Sequence, residues 1–256
     1  MNDSVMKKLN YENQPDIGDY KSRACREYLR AVSHYSCAYC TISESEAPGA
    51  TFHIEHFRPQ ARFPHLTNKC NNLRYACPRC NLIKGSYWIS REDGCIRDCE
   101  KCNTKICHEN IYRLIDCLIE DPNEYMALKE DDTLEAKNGS KPAVHTIKYL
   151  RLNRVQLIKL RRTRRFIDLW KQELEKGKEA AIKKIAYIQS EQNRFEELIK
   201  LNPHICNDEN SQLCDIIITL LKMLSEETTY SLALIDTELE KVERLLEMRE
   251  EPDNAI

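Results

Sequence analysis

The segment CPRCNLIKGSYW, residues 77–88, decides the fold that we expect for the first part of the chain. Its cysteines, Cys77 and Cys80, are two residues apart, so one tight turn leading into a short helix can present both sulfurs to a single ion. A second pair with the same spacing, Cys37 and Cys40, precedes it. Two such turns complete a tetrahedral structural zinc site without an open position. Zinc would replace a missing hydrophobic core, and unliganded buried thiols are the alternative.

The interval between the two cysteine pairs is longer than in a plain zinc ribbon, and it carries HIEHFRP, residues 53–59. The β-branched and aromatic residues of TFHIEHF predict a strand. Side chains alternate along a strand, so His53 and Glu55 share one face and His56 lies on the other. His53 could be a metal ligand, a substrate contact or a structural histidine bonded to the backbone.

Thirteen cysteines are many for a chain of 256 residues, and eleven of them precede residue 118. In a reducing compartment such a count indicates thiolate metal sites rather than disulfides. A second group with the spacing C-x3-C-x2-C-x4-C could hold another zinc ion, and it consists of Cys95, Cys99, Cys102 and Cys107.

The charge and hydropathy of the whole chain exclude several classes of protein. The formal net charge is only −2, so any surface for nucleic acid must be a local patch. The N-terminal residues contain no apolar run that resembles a signal peptide, and no segment is apolar enough to cross a bilayer. We therefore expect a cytoplasmic protein that does not act in a membrane.

The composition and the apolar pattern of the sequence change along the chain and predict four segments. Residues 1–36 form an N-terminal helical segment, residues 37–90 carry the cysteine pairs, and residues 91–141 form a cysteine-rich connector with a small hairpin around Asp131–Asp132. Residues 142–256 are almost free of glycine and have the apolar periodicity of helices, which heptad-like spacing over 232–246 continues. The fold class is therefore α+β, with mostly α-helical content.

The helix predicted over residues 148–171 is strongly basic, with nine lysines or arginines and one acid. Arg154, Arg161, Arg164 and Arg165 fall within about a third of its circumference, because a helix advances ~100° per residue. Such a stripe can follow a phosphate backbone without reading sequence. A solvated helix face, or ion pairs with the acidic helix over 236–251, is the alternative.

Four features then follow in a fixed order: a C-x-x-C, the Glu55-His56 pair, Asn72-Leu73, and a C-x-x-C-N-x-x-K that ends at Lys84. Over residues 37–87 this order resembles the HNH endonucleases, the zinc-supported branch of the ββα-metal nucleases. The resemblance implies a ββα-metal core and a metal-dependent endonuclease that hydrolyses phosphodiester bonds in DNA. A neutral histidine can take a proton from water, and Mg²⁺ or Mn²⁺ prefers oxygen ligands.

The resemblance also assigns roles to single residues. His56 matches the general base, Glu55 the acidic metal ligand, and Asn81 the second metal ligand. Asn72 matches the asparagine that orients the catalytic histidine through backbone hydrogen bonds. Two residues are implied as phosphate contacts, namely Lys84 and Arg58. Glutamate stands where the family often has aspartate, which could move the ion or place a water in the contact, and asparagine replaces the final histidine.

A looser likeness extends beyond this motif, through LIDCLIEDPNEYMALKEDDTLEA and HTIKYLRLNRVQLIKLRR. These segments are similar to the tail of PtuB-type nucleases of Septu and retron anti-phage systems. The likeness implies a partner ATPase of the ABC/SMC type, PtuA-like, and a setting that can include a retron reverse transcriptase with its msDNA. ATP use would belong to that partner, since this chain has no G-x-x-x-x-G-K. A homo-oligomer through the helices is the alternative.

Two other functions compete with the nuclease. One is a zinc-dependent module that binds nucleic acid without cutting it. The other is a scaffold in which zinc holds a platform for helical partners.

Overall fold

The computed structural model describes residues 5–11, 18–89, 111–206 and 211–250. Its helices and strands, in chain order, are α1 (Arg23–Val32), β1 (His53–His56), β2 (Leu73–Ala76), α2 (Pro78–Lys84), α3 (Pro122–Tyr125), β3 (Met126–Leu128), β4 (Leu134–Ala136), α4 (Lys141–Tyr149), α5 (Val155–Leu201) and α6 (Ser211–Glu250). The predicted class, α+β with mostly helical content, is confirmed.

The chain divides into two compact units. Unit 1 is built from the chain up to Arg164 together with the end of α6 from Glu247, and unit 2 is Arg165–Leu246. The four segments that we expect from the sequence remain a prediction. In the described part of the chain, every helix is too short or too polar to cross a membrane.

The part of unit 1 that includes HIEHFRP and Cys77–Lys84 contains a two-stranded antiparallel sheet, and a helix follows its second strand. Strand β1 pairs with β2 so that Glu55 lies opposite Arg74 and His56 opposite Leu73. One residue later α2 begins, with the Cys77 sulfur accepting a hydrogen bond from the backbone N–H of Cys80 at 3.4 Å. Pro78 is the first helical residue, where its fixed φ favours the helix and its missing N–H has no cost. This β1–β2–α2 order is the one that the ββα resemblance predicts.

The core of unit 1 contains a buried cation. Phe52 and Tyr75 stack with ring centroids 5.2 Å apart. Arg74 has no exposed surface, forms an ion pair with Asp116, and donates a hydrogen bond to the carbonyl oxygen of Leu73 at 2.7 Å. A buried charge is tolerated only when it is paired and hydrogen-bonded, so these contacts fix strand β2 in place.

The hairpin predicted around Asp131–Asp132 is present, as β3 and β4 pair antiparallel on either side of it. Asp132 adopts a positive φ of 67°, and the Asp131 carboxylate accepts a hydrogen bond from the N–H of Thr133 at 3.1 Å. Helix α4 begins soon after, where the hydroxyl of Ser140 caps its first turn.

Unit 2 consists of parts of the two long helices α5 and α6, which pack antiparallel. Lys178 pairs with Asp236 at 2.7 Å and Lys171 with Glu243 at 3.5 Å. A Cβ atom at Gly177 would lie 3.6 Å from Cδ1 of Ile235, which is an ordinary van der Waals contact, so alanine would fit at this position. Many large apolar side chains remain largely exposed, among them Phe166, Leu169, Tyr187, Leu213, Ile216, Leu220, Met223 and Tyr230.

Candidate active site

Four cysteines meet in a buried cluster at the start of α2. The sulfurs of Cys37, Cys40, Cys77 and Cys80 all lie within 4.8 Å of one another, and those of Cys40 and Cys77 are 3.7 Å apart. A tetrahedral zinc ion with bonds of about 2.3 Å places its sulfurs about 3.8 Å from one another. The cluster therefore fits a structural zinc ion, as the sequence predicts.

The ionisation of these thiols also favours a cation. Hydrogen bonds with Cys37 lower the pKa of Cys40 and of Cys77, whereas burial raises the pKa of Cys37 well above its ordinary value. Four thiolates this close repel one another, so they cannot all lose their protons alone. A divalent ion at the centre would supply the compensating charge.

Arginines from the start of α5, and from the turn before it, contact the four-cysteine cluster, the segment after Cys40 and the β3–β4 hairpin. Arg154 donates to the Cys80 sulfur at 3.7 Å, and Arg164 donates to the carbonyl oxygen of Thr41 at 2.7 Å and to Glu46 at 2.8 Å. Arg161 donates to the carbonyl oxygen of Asp132 at 2.8 Å.

These contacts correct the expectation of a basic stripe that is open to a phosphate backbone. Arg161 and Arg164 are only 3% and 5% exposed, and Arg154 is half-buried. Of the four arginines in the predicted stripe, Arg165 alone is exposed, and it belongs to unit 2. A helix with many arginines can thus be structural, because a long guanidinium side chain reaches buried carbonyl and carboxylate oxygens.

The side chain of Glu55, which belongs to β1, is buried against α2 and the first cysteine turn. One carboxylate oxygen accepts a hydrogen bond from the Tyr39 hydroxyl, and the other is paired with the ammonium group of Lys84. Lys84 also donates to the carbonyl oxygen of His56 at 2.7 Å. Burial lowers the pKa of Lys84 against the pull of Glu55, and burial together with the charge of Glu55 keeps the pKa of Tyr39 well above its ordinary value.

Two residues that were expected to contact phosphate are buried in the structure. Lys84 has no exposed surface, so it holds α2 against β1 instead of meeting a substrate. Arg58 is 5% exposed, and its guanidinium lies over the rings of Phe63 and Trp88 at 5.4 and 5.1 Å. Both expectations are corrected, since a phosphate contact requires an accessible cation.

His56 is held by a backbone carbonyl. Its Nε2 lies 2.9 Å from the carbonyl oxygen of Thr67, and its ring packs edge-to-face on Tyr20 at 4.6 Å. A carbonyl oxygen only accepts hydrogen bonds, so in the neutral ring Nε2 carries the proton. The lone pair then lies on Nδ1, which is the atom able to accept a proton from water.

Asn72 fastens the chain after β1 to the turn before β2. Its side chain accepts a hydrogen bond from the N–H of Arg58 at 2.8 Å and donates to the carbonyl oxygen of Arg58 at 3.1 Å. These bonds are of the kind that the HNH resemblance implies for this asparagine. Its contribution to catalysis remains a prediction.

Asn81 lies on the same side of α2 as Lys84, because residues three apart share a helix face, and it is half-buried. Glu55 and Asn81 are therefore on neighbouring elements. Each oxygen of Glu55 already has one partner, Tyr39 or Lys84, so a Mg²⁺ or Mn²⁺ ion bound here would share the carboxylate with the Lys84 ammonium group. Their role as ligands of a catalytic cation stays a prediction.

The remaining predicted site residues are not brought into this site. The second cysteine group, Cys95, Cys99, Cys102 and Cys107, lies outside the described residues. His53 is exposed at the start of β1, whereas Glu55 on the same strand is buried.

Sequence reasoning missed Tyr39 and Thr67. The position of Tyr39 between the two cysteines of one C-x-x-C pair was a usable signal, whereas nothing in the sequence marks Thr67.

Comparison with known proteins shows that this part of the chain is similar to nucleases. Residues 37–86 match the HNH endonuclease family. The matched span holds the four-cysteine cluster and the β1–β2–α2 unit. The chain is also similar to a curated relative, Septu protein PtuB of Bacillus mycoides (strain KBAB4), with 28% identity over 152 residues. That alignment covers 54% of this chain and 50% of the relative, so the chain spans about half the length of the relative it matches. No solved structure matches the chain.

Proposed function

We propose that this protein is an HNH-type endonuclease that hydrolyses phosphodiester bonds in DNA. The observation that carries the proposal is the fixed ring of His56, whose Nε2 is bonded to Thr67 and whose Nδ1 keeps its lone pair. A histidine near neutral pH, oriented by a backbone carbonyl, is suited to take a proton from water. The family match over residues 37–86 supports the same chemistry.

In this proposal the parts around His56 act as its support. The zinc cluster would hold the start of α2, Lys84 would hold the backbone at His56, and Asn72 would fix the turn that follows β1. Glu55 and Asn81 are the residues that the HNH resemblance assigns to a divalent cation. Mg²⁺ or Mn²⁺ would supply charge stabilisation on the scissile phosphate when bound.

Plasmid cleavage by the purified full-length protein tests the proposal. We expect nicking with Mg²⁺ or Mn²⁺ and none in EDTA, and we expect His56→Ala to slow it by about 10²–10⁴-fold. His65→Ala is the matched control, because His65 is exposed and lies outside β1. Zinc content measured by mass spectrometry must stay equal in all three proteins. Equal rates for His56→Ala and the wild type would refute His56 as the base.

One observation favours a second function, a zinc-dependent module that binds DNA without cutting it. Each carboxylate oxygen of Glu55 already has a partner inside the protein, so a cation would have to share this carboxylate with Lys84. The same experiment decides between the two functions. DNA binding by the wild type without cleavage under any divalent metal would favour the binding module.

We also propose that the protein acts in anti-phage defence together with a partner ATPase of the PtuA-like, ABC/SMC type. The likeness to Septu protein PtuB and the exposed apolar side chains of unit 2 support this. Mixing the protein with a purified ATPase of this type, followed by light scattering on a sizing column, tests it. A stable complex is expected, and a doubled mass without the ATPase would support a homo-oligomer instead. A retron reverse transcriptase with its msDNA is a further partner to include.

A further inference from the structure

Helix α2 has two different faces. Because a helix advances ~100° per residue, Asn81 and Lys84 lie on one side of it and Arg79, Leu82 and Ile83 on the other. The first side meets Glu55 through Lys84. The second side lines a shallow groove. The nuclease-like helix therefore separates a buried catalytic side from an open side.

The opposite wall of this groove is the last part of α4. It contributes His145, Lys148 and Tyr149, which share one helix face, and Arg151 follows just after the helix ends. Arg79, Lys148 and Arg151 are exposed, and Leu82 is 76% exposed. No carboxylate lines the groove among the residues that the structure describes.

Aromatic rings pack against one another along the α4 wall of the groove. The ring of Tyr149 stacks on that of His145 with centroids 5.5 Å apart, and it lies 4.3 Å from that of Tyr87. Burial, and then the charge of Lys148, lowers the pKa of His145, so its ring is neutral at pH 7. The positive charge of the groove therefore comes from two arginines and one lysine. Flat rings beside such cations are typical of surfaces that bind nucleic acid.

The sequence around the groove is depleted of acids as well. From His56 to Ile89 there is no aspartate or glutamate, although the whole chain carries a net charge of −2. Of the cations in this segment, Arg58, Arg74 and Lys84 are buried, whereas Arg79 is exposed and lines the groove. Residues 141–155, which include α4, also contain no acid. The positive charge is thus local to this surface, as a phosphate-binding patch on an otherwise balanced protein requires.

We propose that the groove between α2 and α4, with Arg79, Lys148 and Arg151, binds the sugar–phosphate backbone of DNA beside the site of cleavage. The proposal rests on the proposed nuclease function and assigns its substrate-binding surface. The groove is one helix diameter, about 10 Å, from the side of α2 that meets Glu55.

The test is a fluorescence anisotropy titration of labelled DNA with the full-length protein in EDTA, where no cleavage interferes. Single-stranded and duplex oligonucleotides are titrated in parallel over a series of salt concentrations. The variant Arg79→Gln/Lys148→Gln removes two groove charges. Arg23→Gln/Lys129→Gln is the matched control, because it removes two exposed charges of unit 1 that do not line the groove.

We expect the groove variant to bind at least 10-fold more weakly than the wild type at 100 mM salt, and the control to bind like the wild type. For duplex DNA the slope of log K against log salt should fall by about 1.8, or about 0.9 for each lost phosphate contact. Unchanged affinity and slope in the groove variant would overturn the proposal, as would a wild type that binds neither DNA.

Failure of this proposal is distinguishable from failure of the nuclease. If the wild type nicks plasmid and the groove variant binds normally, the groove assignment is wrong and the nuclease stands. If the groove variant loses binding but the wild type never cleaves, the groove assignment stands and the protein is a binding module.

Discussion

Unit 1 and unit 2 are stabilised in different ways. Unit 1 buries a four-cysteine cluster and several charged side chains, each with a fixed partner, among them Glu55, Lys84 and Arg164. Unit 2 is a pair of helices in which residues such as Leu220 and Tyr230 remain 53% and 67% exposed. The difference indicates a division of labour. The candidate chemistry lies where buried polar contacts fix each position, and the surface suited to other proteins lies where apolar side chains are left open.

The largest effect expected from this difference is the loss of zinc. Cys77→Ser should release the metal and unfold unit 1. Binding of structural zinc contributes about 10–16 kcal/mol in zinc-finger peptides, which is comparable to the whole free energy of unfolding of most domains. Zinc content and thermal unfolding measure the effect. Cys70→Ala is the control, since Cys70 is buried outside the cluster, and it should keep its zinc. A Cys77→Ser protein with unchanged zinc and melting temperature would contradict the assignment.

The next effect concerns the buried ion pair of Lys84 and Glu55. Lys84→Met should cost about 3–5 kcal/mol of unfolding free energy, because it leaves a buried carboxylate without its cation. Urea denaturation gives the value. The double variant Lys84→Met/Glu55→Gln should recover part of the loss, since it removes the stranded charge. A loss below about 1 kcal/mol for Lys84→Met would mean that the pair does not form.

Several features of unit 1 could be predicted from residues that are close in sequence. The cysteine spacing predicted the metal cluster, because two C-x-x-C turns leave few other geometries, and Pro78 marked the start of α2. The strand at His53–His56 and the hairpin at Asp131–Asp132 followed from local patterns. Such features depend on neighbours in sequence, so a single chain is enough to predict them.

The side chains that were misplaced depend on packing between distant segments. The resemblance implied that Lys84 contacts phosphate, whereas the packing of α2 against β1 buries it. Arg164 reaches Thr41 and Glu46, which are more than 100 residues earlier in the chain. No periodicity encodes that contact. The groove beside α2 was missed for the same reason, because its two walls are distant in sequence.

Arg164 and Arg165 allow the stabilisation of the two units to be compared directly, since these arginines are adjacent in sequence and belong to different units. Arg164→Met should cost about 3 kcal/mol, because its buried pair with Glu46 is lost. Arg165→Met should cost less than about 1 kcal/mol, as is usual for exposed arginines. Chemical denaturation of both variants measures the contrast. Equal losses would show that the two arginines are equivalent.

The smallest effect on stability is expected in unit 2. Ile216→Gln/Leu220→Gln replaces two exposed apolar residues on one face of α6 by good helix formers. The unfolding free energy should change by no more than about 0.5 kcal/mol, whereas binding to the ATPase or to a second copy should weaken. Light scattering on a sizing column measures association. A large loss of stability with unchanged association would mean that this face is part of a core.

The two opposite faces of α2 have a consequence for how such a gene can change. Inserting or deleting one residue between Cys80 and Lys84 would turn the end of this short helix by ~100°. Lys84 would then move away from the carboxylate of Glu55, and after a deletion Gly85, which has no charge, would take its place. Indels should therefore be tolerated poorly in these few codons and far better in the exposed turn near Gly49.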